Sequence, residues 1–188
     1  MKKFESNFGD FTVHRTRPLP VRELRGSFLI AEPVVQVTRD SLVSFALAGI
    51  HDGGHEGMIF WAGREANDAT LILQGIIPDA LHSSQRVMAT KEAVGEAARA
   101  ARANGLGILC QVHSHPGRDS RHSDGDDSLI LLPFEGMLSV VVPEFGIHFE
   151  SIVQSSVHQF QDGKWVLCSE ASVADRIRII PCRMDLRG

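Results

Sequence analysis

Apolar and polar positions along the chain alternate between two rhythms, and together they predict an ordered series of strands and helices. The run FLIAEPVVQV, residues 28–37, reads as a strand. Thr38 follows as a helix N-cap, with Asp40 near the positive helix terminus. Leu42, Phe45, Ala46, Gly49 and Ile50 then recur at the spacing of one buried helical face, and HDGG at 51–54 ends that helix. GMIFWAG and ATLILQGII predict two neighbouring buried strands joined by the polar turn REAND. A second helix starts at Thr90 and carries Ala93, Val94, Ala97, Ala98 and Ala101 on one face before Asn104 and Gly105 stop it. GILCQVH and MLSVVVP are further strands, with a short helix between them near SDGDDSLILL. HQFQDGKWVL predicts a hairpin turning at Asp162 and Gly163, and RIRIIP a last strand. Strands interleaved with helices, followed by a β-rich end, give an α/β (α+β) sandwich, a sheet with helices packed on its faces.

Residues 1–26 do not share this patterning. They are polar, contain Pro18 and Pro20 with an excess of arginine, and read as an extended N-terminal arm preceding a single domain at 27–188. The 188 residues, 43% of them hydrophobic, suffice for one substantial core. A formal charge of −4 with dispersed Lys and Arg disfavours a nucleic-acid partner. No segment has the uncharged length of a membrane span. Cys110, Cys168 and Cys182 form no CxxC pair and leave an odd thiol, which suits a reducing compartment; the expected location is the cytoplasm.

Candidate chemistry concentrates in VHSHPGRDSRHSDGDD, residues 112–127, which holds three of the nine histidines and four aspartates. On a strand that stays extended through residue 115, Leu109, Gln111, His113 and His115 share one face. Two imidazoles two residues apart can then converge on one ion, with Cys110 excluded on the opposite face. A catalytic zinc takes three protein ligands and keeps a fourth position open. The third ligand could be Asp119, His122, Asp124, Asp126 or Asp127, reached after the turn that Pro116 and Gly117 begin. Ser123 and Asp126 also form a capping-box-like helix start, in which Ser123 caps and Asp126 complements the helix dipole.

The order His113, Ser114, His115, Pro116, then Ser123 and Asp126, completes HSHPx(6)SxxD and resembles the JAMM signature of JAB/MPN metallopeptidases. The resemblance extends over roughly residues 34–142 by order of elements. It implies a cytidine-deaminase-like JAB/MPN sandwich and one Zn²⁺ per chain held by His113, His115 and Asp126. It implies Glu56 as the acid and base, since Glu56 precedes GMIFWAG and Gly63 stands seven positions on. From spacing alone Glu56 has no preference over Glu65 or Glu92. Family members commonly have glycine three residues after the glutamate, whereas here Ile59 stands there and the glycine is Gly57. Ser123 is implied as the oxyanion donor, while Ser114, pointing away from its neighbours on the strand, reads as a local hydrogen-bonding residue.

The activity so implied is that of a zinc isopeptidase or peptidase cleaving the amide bond after the C-terminal tail of a ubiquitin-like protein, in deconjugation or precursor maturation. Short JAB proteins of this kind resemble deconjugating peptidases that accompany E1-like and E2-like enzymes, including those of antiphage operons. Two other classes share features of the pattern. A catalytically silent MPN-type scaffold would not need the complete ligand set. A PHP-type metallophosphoesterase needs several later His and Asp clusters, and only His148 and His158 follow Asp126 among the histidines. Outside the motif, His51 and His55 stand beside Glu56 in a Gly-rich loop, where exposed histidines are commonplace, and are assigned no role. His122 and Asp119 are expected as solvated loop residues, His148 and His158 as half-buried surface residues, and Trp61 and Trp165 in or beside the core.

Overall fold

A computed structural model describes residues 18–123, 126 and 133–182. The chain runs β1 (Val21–Arg22), β2 (Phe28–Ala31), α1 (Glu32–Ala48), β3 (Met58–Ala66), β4 (Ala69–Ile76), β5 (Ala80–Ser83), β6 (Arg86–Ala89), α2 (Lys91–Ala103), β7 (Gly107–Ser114), β8 (Leu138–Val142), β9 (Ser156–Gln161), β10 (Lys164–Cys168), α3 (Glu170–Arg176) and β11 (Ile177–Ile180). Nine strands form one mixed sheet in the order β1-β10-β9-β8-β7-β3-β4-β2-β11, and β5 pairs β6 as a separate hairpin. The expected α/β sandwich is the observed architecture. Of the helix expected near SDGDDSLILL only Ser123 and Asp126 are among the described residues, and residues 1–17 of the expected arm lie outside them.

The first helix begins earlier than its apolar rhythm predicts. β2 stops at Ala31, and Pro33 occupies the first helical turn, where its missing N–H costs nothing and its fixed φ suits a helix. Thr38 is therefore inside α1 rather than capping it. Its hydroxyl donates to the Val34 carbonyl at 2.7 Å and accepts the Trp61 indole N–H at 2.8 Å. Trp61 is fully buried on β3, and truncating such a ring costs about 3–5 kcal/mol. The buried stripe of α1 is Val34, Thr38, Ser41 and Leu42, while Ile50 lies beyond the helix and is exposed. The second helix follows its prediction: Thr90 accepts the Ala93 N–H, and Ala93, Ala97 and Ala101 are buried.

Two hydrophobic clusters occupy the two faces of the sheet. Val34 and Leu42 of α1 and Val173 of α3 pack with Ile59, Trp61, Cys110, Val112, Val140 and Val142. On the other face Ala97 of α2 and Val87 of the β5–β6 hairpin cover Met58 and Phe60, with Ile108 alongside. β8 is buried along its whole length, as expected of a strand covered on both faces. A register shift in the β3–β7 pairing between Trp61 and Ala62 breaks the alternation of β7. Leu109 packs with the cluster of Cys110, and not on the face of Gln111 and His113 as strict alternation predicted. A second shift, between Ala62 and Gly63, brings the Leu71 carbonyl to 1.9 Å from where a Cβ on Gly63 would sit.

The segment read as an arm is extended but integrated from residue 21 onward. Val21 and Arg22 pair in parallel with β10, and Leu24 is buried in the first cluster. At the hairpin Asp162 and Gly163 both have positive φ, 53° and 76°, the conformation of a primed two-residue turn. Among the described residues no helix is long and apolar enough to cross a membrane.

Candidate metal centre

β7 pairs with β3 on one side and β8 on the other, with Met58 and Val141 opposite His113. The His115 N–H continues this pairing past the strand end by donating to the Val142 carbonyl at 2.9 Å. That keeps both imidazoles together, with their Nε2 atoms 3.2 Å apart. Asp126 closes the triangle: Oδ1 lies 3.2 Å from His113 Nε2 and Oδ2 3.5 Å from His115 Nε2. Among the described residues these three form the one group of at least three His, Cys, Asp or Glu whose ligand atoms all lie within 4.8 Å of one another.

The donor set fits a divalent cation, zinc in particular. It supplies two imidazole nitrogens and one carboxylate, the complement of a catalytic zinc site with an open position. His115 Nδ1 lies 2.8 Å from the Asp119 carbonyl oxygen. A carbonyl can only accept, so Nδ1 carries the hydrogen and the neutral ring turns its Nε2 lone pair toward Asp126 and His113. Burial would lower the His115 pKa, but the hydrogen bond and charge of Asp126, with the Asp119 carbonyl and Glu56, raise it overall. Burial also works against the Asp126 charge, yet His113, His115 and the Ser123 backbone hold that carboxyl well below the usual carboxylate range. The pocket thus favours a positive charge among these three side chains.

Glu56 is the buried acid beside this group, 8% exposed. Desolvation lifts its pKa to about 7, opposed by the charges of His115 and His113 and assisted by that of Asp126. Its backbone is fixed from two sides. The Glu56 N–H donates to the Ser83 carbonyl of β5 at 2.9 Å, while the next residue, Gly57, exchanges hydrogen bonds with Ser114 at 3.0 Å each. Ser114 lies between the two histidines and faces away from them, so its hydroxyl ties the acid's strand to the ligand strand. Glu65 and Glu92, indistinguishable from Glu56 by spacing, are both exposed.

Ser123 and Asp126 bond reciprocally. The Ser123 N–H and Oγ donate to Asp126 Oδ2 at 2.7 and 2.9 Å, and the Asp126 N–H reaches Ser123 Oγ at 3.3 Å. The capping-box geometry and the ligand-orienting geometry are therefore the same geometry. The Ser123 hydroxyl is committed to Asp126, and donation toward a substrate oxygen requires it to rotate.

Among the other expectations, those for His122 and His158 change and those for Asp119, Trp61, Trp165 and Cys110 hold. His122 is buried: its Nε2 lies 2.8 Å from Ser139 Oγ, and its ring stacks on His158 with centroids 3.8 Å apart. His158 is 1% exposed, and burial holds its pKa well below the ordinary value. The β9 register turns His158 to the face of Ser139, which the chain covers. Asp119 is exposed and pairs with Arg121 at 2.7 Å. Asp124 and Asp127 lie outside the described residues. His51 and His148 are exposed, and His55 Nδ1 meets His82 Nδ1 of β5 at 2.8 Å. Trp165 is buried, as is Trp61, and Cys110 faces the opposite cluster. The β5–β6 hairpin and the turn at Glu144–Phe145 carry no motif, and sequence reasoning missed both. The one sign of the turn was Gly146 after Pro143.

Residues 44–155 match the model of the prokaryotic homologs of the JAB domain. The chain is 35% identical over 117 residues to "Probable metalloprotease y4jG" of Sinorhizobium fredii, covering 59% of this chain and 72% of that one. Among solved structures, protein DSY2949 of Desulfitobacterium hafniense superposes with a TM-score of 0.60 at 15% identity over 82% of this chain and 93% of that chain, a likeness of fold. A JAB1/MPN domain protein of Archaeoglobus fulgidus gives a TM-score of 0.43 at 15% identity over 82% of this chain and 97% of that one. With its matched segment running from the last turn of α1 to the residue before β9, the chain belongs to the prokaryotic homologs of the JAB domain.

Proposed function

We propose that the protein is a zinc-dependent peptidase or isopeptidase that hydrolyses the amide bond after the C-terminal tail of a ubiquitin-like protein. The observation that carries this reading is the buried Glu56 carboxyl, with a pKa near neutrality, set against the triangle of His113, His115 and Asp126. Zinc held by those three residues would supply Lewis-acid charge that acidifies water and polarises a carbonyl. Glu56 accepts the proton of the attacking water at its carboxylate and returns it to the leaving amine, work for which a pKa near the operating pH is suited. Ser123 holds Asp126 through its N–H, leaving its hydroxyl to turn toward the carbonyl oxygen as charge develops there.

An extended tail is the substrate form that reaches such a site. The β5–β6 hairpin, whose Ser83 carbonyl already holds the Glu56 N–H, offers a strand against which a tail could pair by β-augmentation. A complete donor set with a buried acid favours activity over a silent scaffold. Cognate E1-like and E2-like enzymes are the partners this reading expects, in a conjugation system such as those of antiphage operons. The test is incubation of the full chain with a ubiquitin-like C-terminal fusion, a lysine conjugate and a generic phosphodiester. EDTA-sensitive release of the ubiquitin-like protein, lost in Glu56→Gln, is expected. Hydrolysis of the phosphodiester alone would overturn the reading.

A further inference from the structure

Two adjacent residues after β8, Glu144 and Phe145, sit at φ values of 52° and 55°. That is the left-handed region, where a bulky aromatic residue is an outlier and persists only when its surroundings enforce it. The enforcing contacts lead to the ligand loop. The Glu144 N–H donates to the Gly117 carbonyl at 3.0 Å and the Phe145 N–H to the His115 carbonyl at 2.9 Å, one on each side of Pro116. Arg118 and Glu144 close the outer side at 3.2 Å.

The ring leads elsewhere. A Cβ built on Gly54 would meet the tip of the Phe145 ring at 2.8 and 2.9 Å, so the ring fills the space a side chain at Gly54 would need. Gly54 is itself at φ 89°, bonds through its N–H to the Gly49 carbonyl at 2.8 Å, and stands two residues before Glu56. Phe145 thus touches both halves of the centre, its backbone holding the residue that carries one imidazole and its ring abutting the loop that delivers the acid. A glycine at 145 could form the same turn and both hydrogen bonds without the strain at that residue, which leaves the ring as the reason for an aromatic residue there.

We propose that Phe145 is a positioning residue that sets the distance between the Glu56 loop and the His115 loop. The proposal rests on the reading of Glu56 as proton carrier, and its test separates the two. The full-length variants Phe145→Gly and Phe145→Leu both withdraw the ring from Gly54, but only the first relieves the backbone. Three quantities decide: amide exchange of residues 49–56, the unfolding midpoint, and kcat with KM on a ubiquitin-like fusion. Exchange of 49–56 should accelerate in both variants while 110–114 stays protected. In both, kcat should fall at least about tenfold with KM little changed, even though the leucine variant unfolds at a lower temperature than the glycine variant. Unchanged exchange, or kcat values that simply follow the unfolding midpoints, would overturn the proposal. If the wild-type chain cleaves no fusion, the peptidase reading fails, and amide exchange still decides for or against Phe145 as the residue that positions the Glu56 loop.

Discussion

The hydroxyl of Ser114 accepts the N–H of Gly57 at 3.0 Å, and the Ser114 N–H donates back to the Gly57 carbonyl. The residue between the two histidines is thereby locked to the residue after Glu56. In Ser114→Ala the buried Gly57 N–H loses its partner, and denaturant titration should show a stability loss of about 1–3 kcal/mol. Zinc content should be retained while kcat falls roughly tenfold through displacement of the acid. Loss of zinc in step with kcat would place the defect in the ligands instead.

Metal analysis of the purified protein should find one zinc per chain. His113→Ala and Asp126→Ala should each lose most of it, since each removes one of three converging donors. Cys110→Ser should keep full occupancy, because Cys110 faces the opposite cluster. Full zinc content after both ligand substitutions would locate the metal elsewhere.

Glu56 imposes a pH-dependent cost on the metal-free fold. Its carboxyl titrates at about 7 in the folded protein against an ordinary value of 4.5. Below pH 4.5 both states are protonated and no cost exists. As pH rises toward 7 the unfolded state ionises first, so folded stability declines. Glu56→Gln carries no such charge. The stability difference between this variant and wild type, both stripped of metal, should grow from near zero at pH 4 to on the order of 3 kcal/mol at pH 8. A flat difference across that range would show that Glu56 is not desolvated.

Gly63→Ala should be among the most damaging small substitutions in the sheet. The added carbon would stand 1.9 Å from the Leu71 carbonyl oxygen, so β3 and β4 must separate or lose their shifted register. A loss on the order of 3 kcal/mol or more by thermal unfolding is expected, and wild-type stability would mean the strands can part freely.

Much of the fold was legible because its elements obey a single period. α2, with its Thr90 cap and alanine stripe, and the hairpin turning at Asp162–Gly163 follow directly from local chemistry. The start of α1 was misplaced because apolar residues crowd both β2 and the first helical turn. Pro33 is itself a helix-start signal, and the polarity of Thr38, the predicted cap, serves Trp61 instead. The convergence of His113, His115 and Asp126 was readable from spacing plus a family pattern. By contrast, the burial of His122 and His158 depends on one loop folding over β8 and β9, and Phe145 depends on a backbone conformation its side chain disfavours. Contacts between distant segments and strained φ values leave no periodic trace.

The outermost strands of the sheet have a kinetic consequence. Ile177 pairs with Phe28 and Leu167 with Val21, both in parallel, so each edge joins segments from opposite ends of the described chain. Closing such long loops carries the greatest entropic cost, and topologies rich in them fold slowly. The residues that build the ligand triangle and its acid all lie between Glu56 and Asp126, inside those closures. His113, His115 and Asp126 are therefore synthesised before β11, so the three donors that could hold a metal precede the strand that seals the far edge of the sheet.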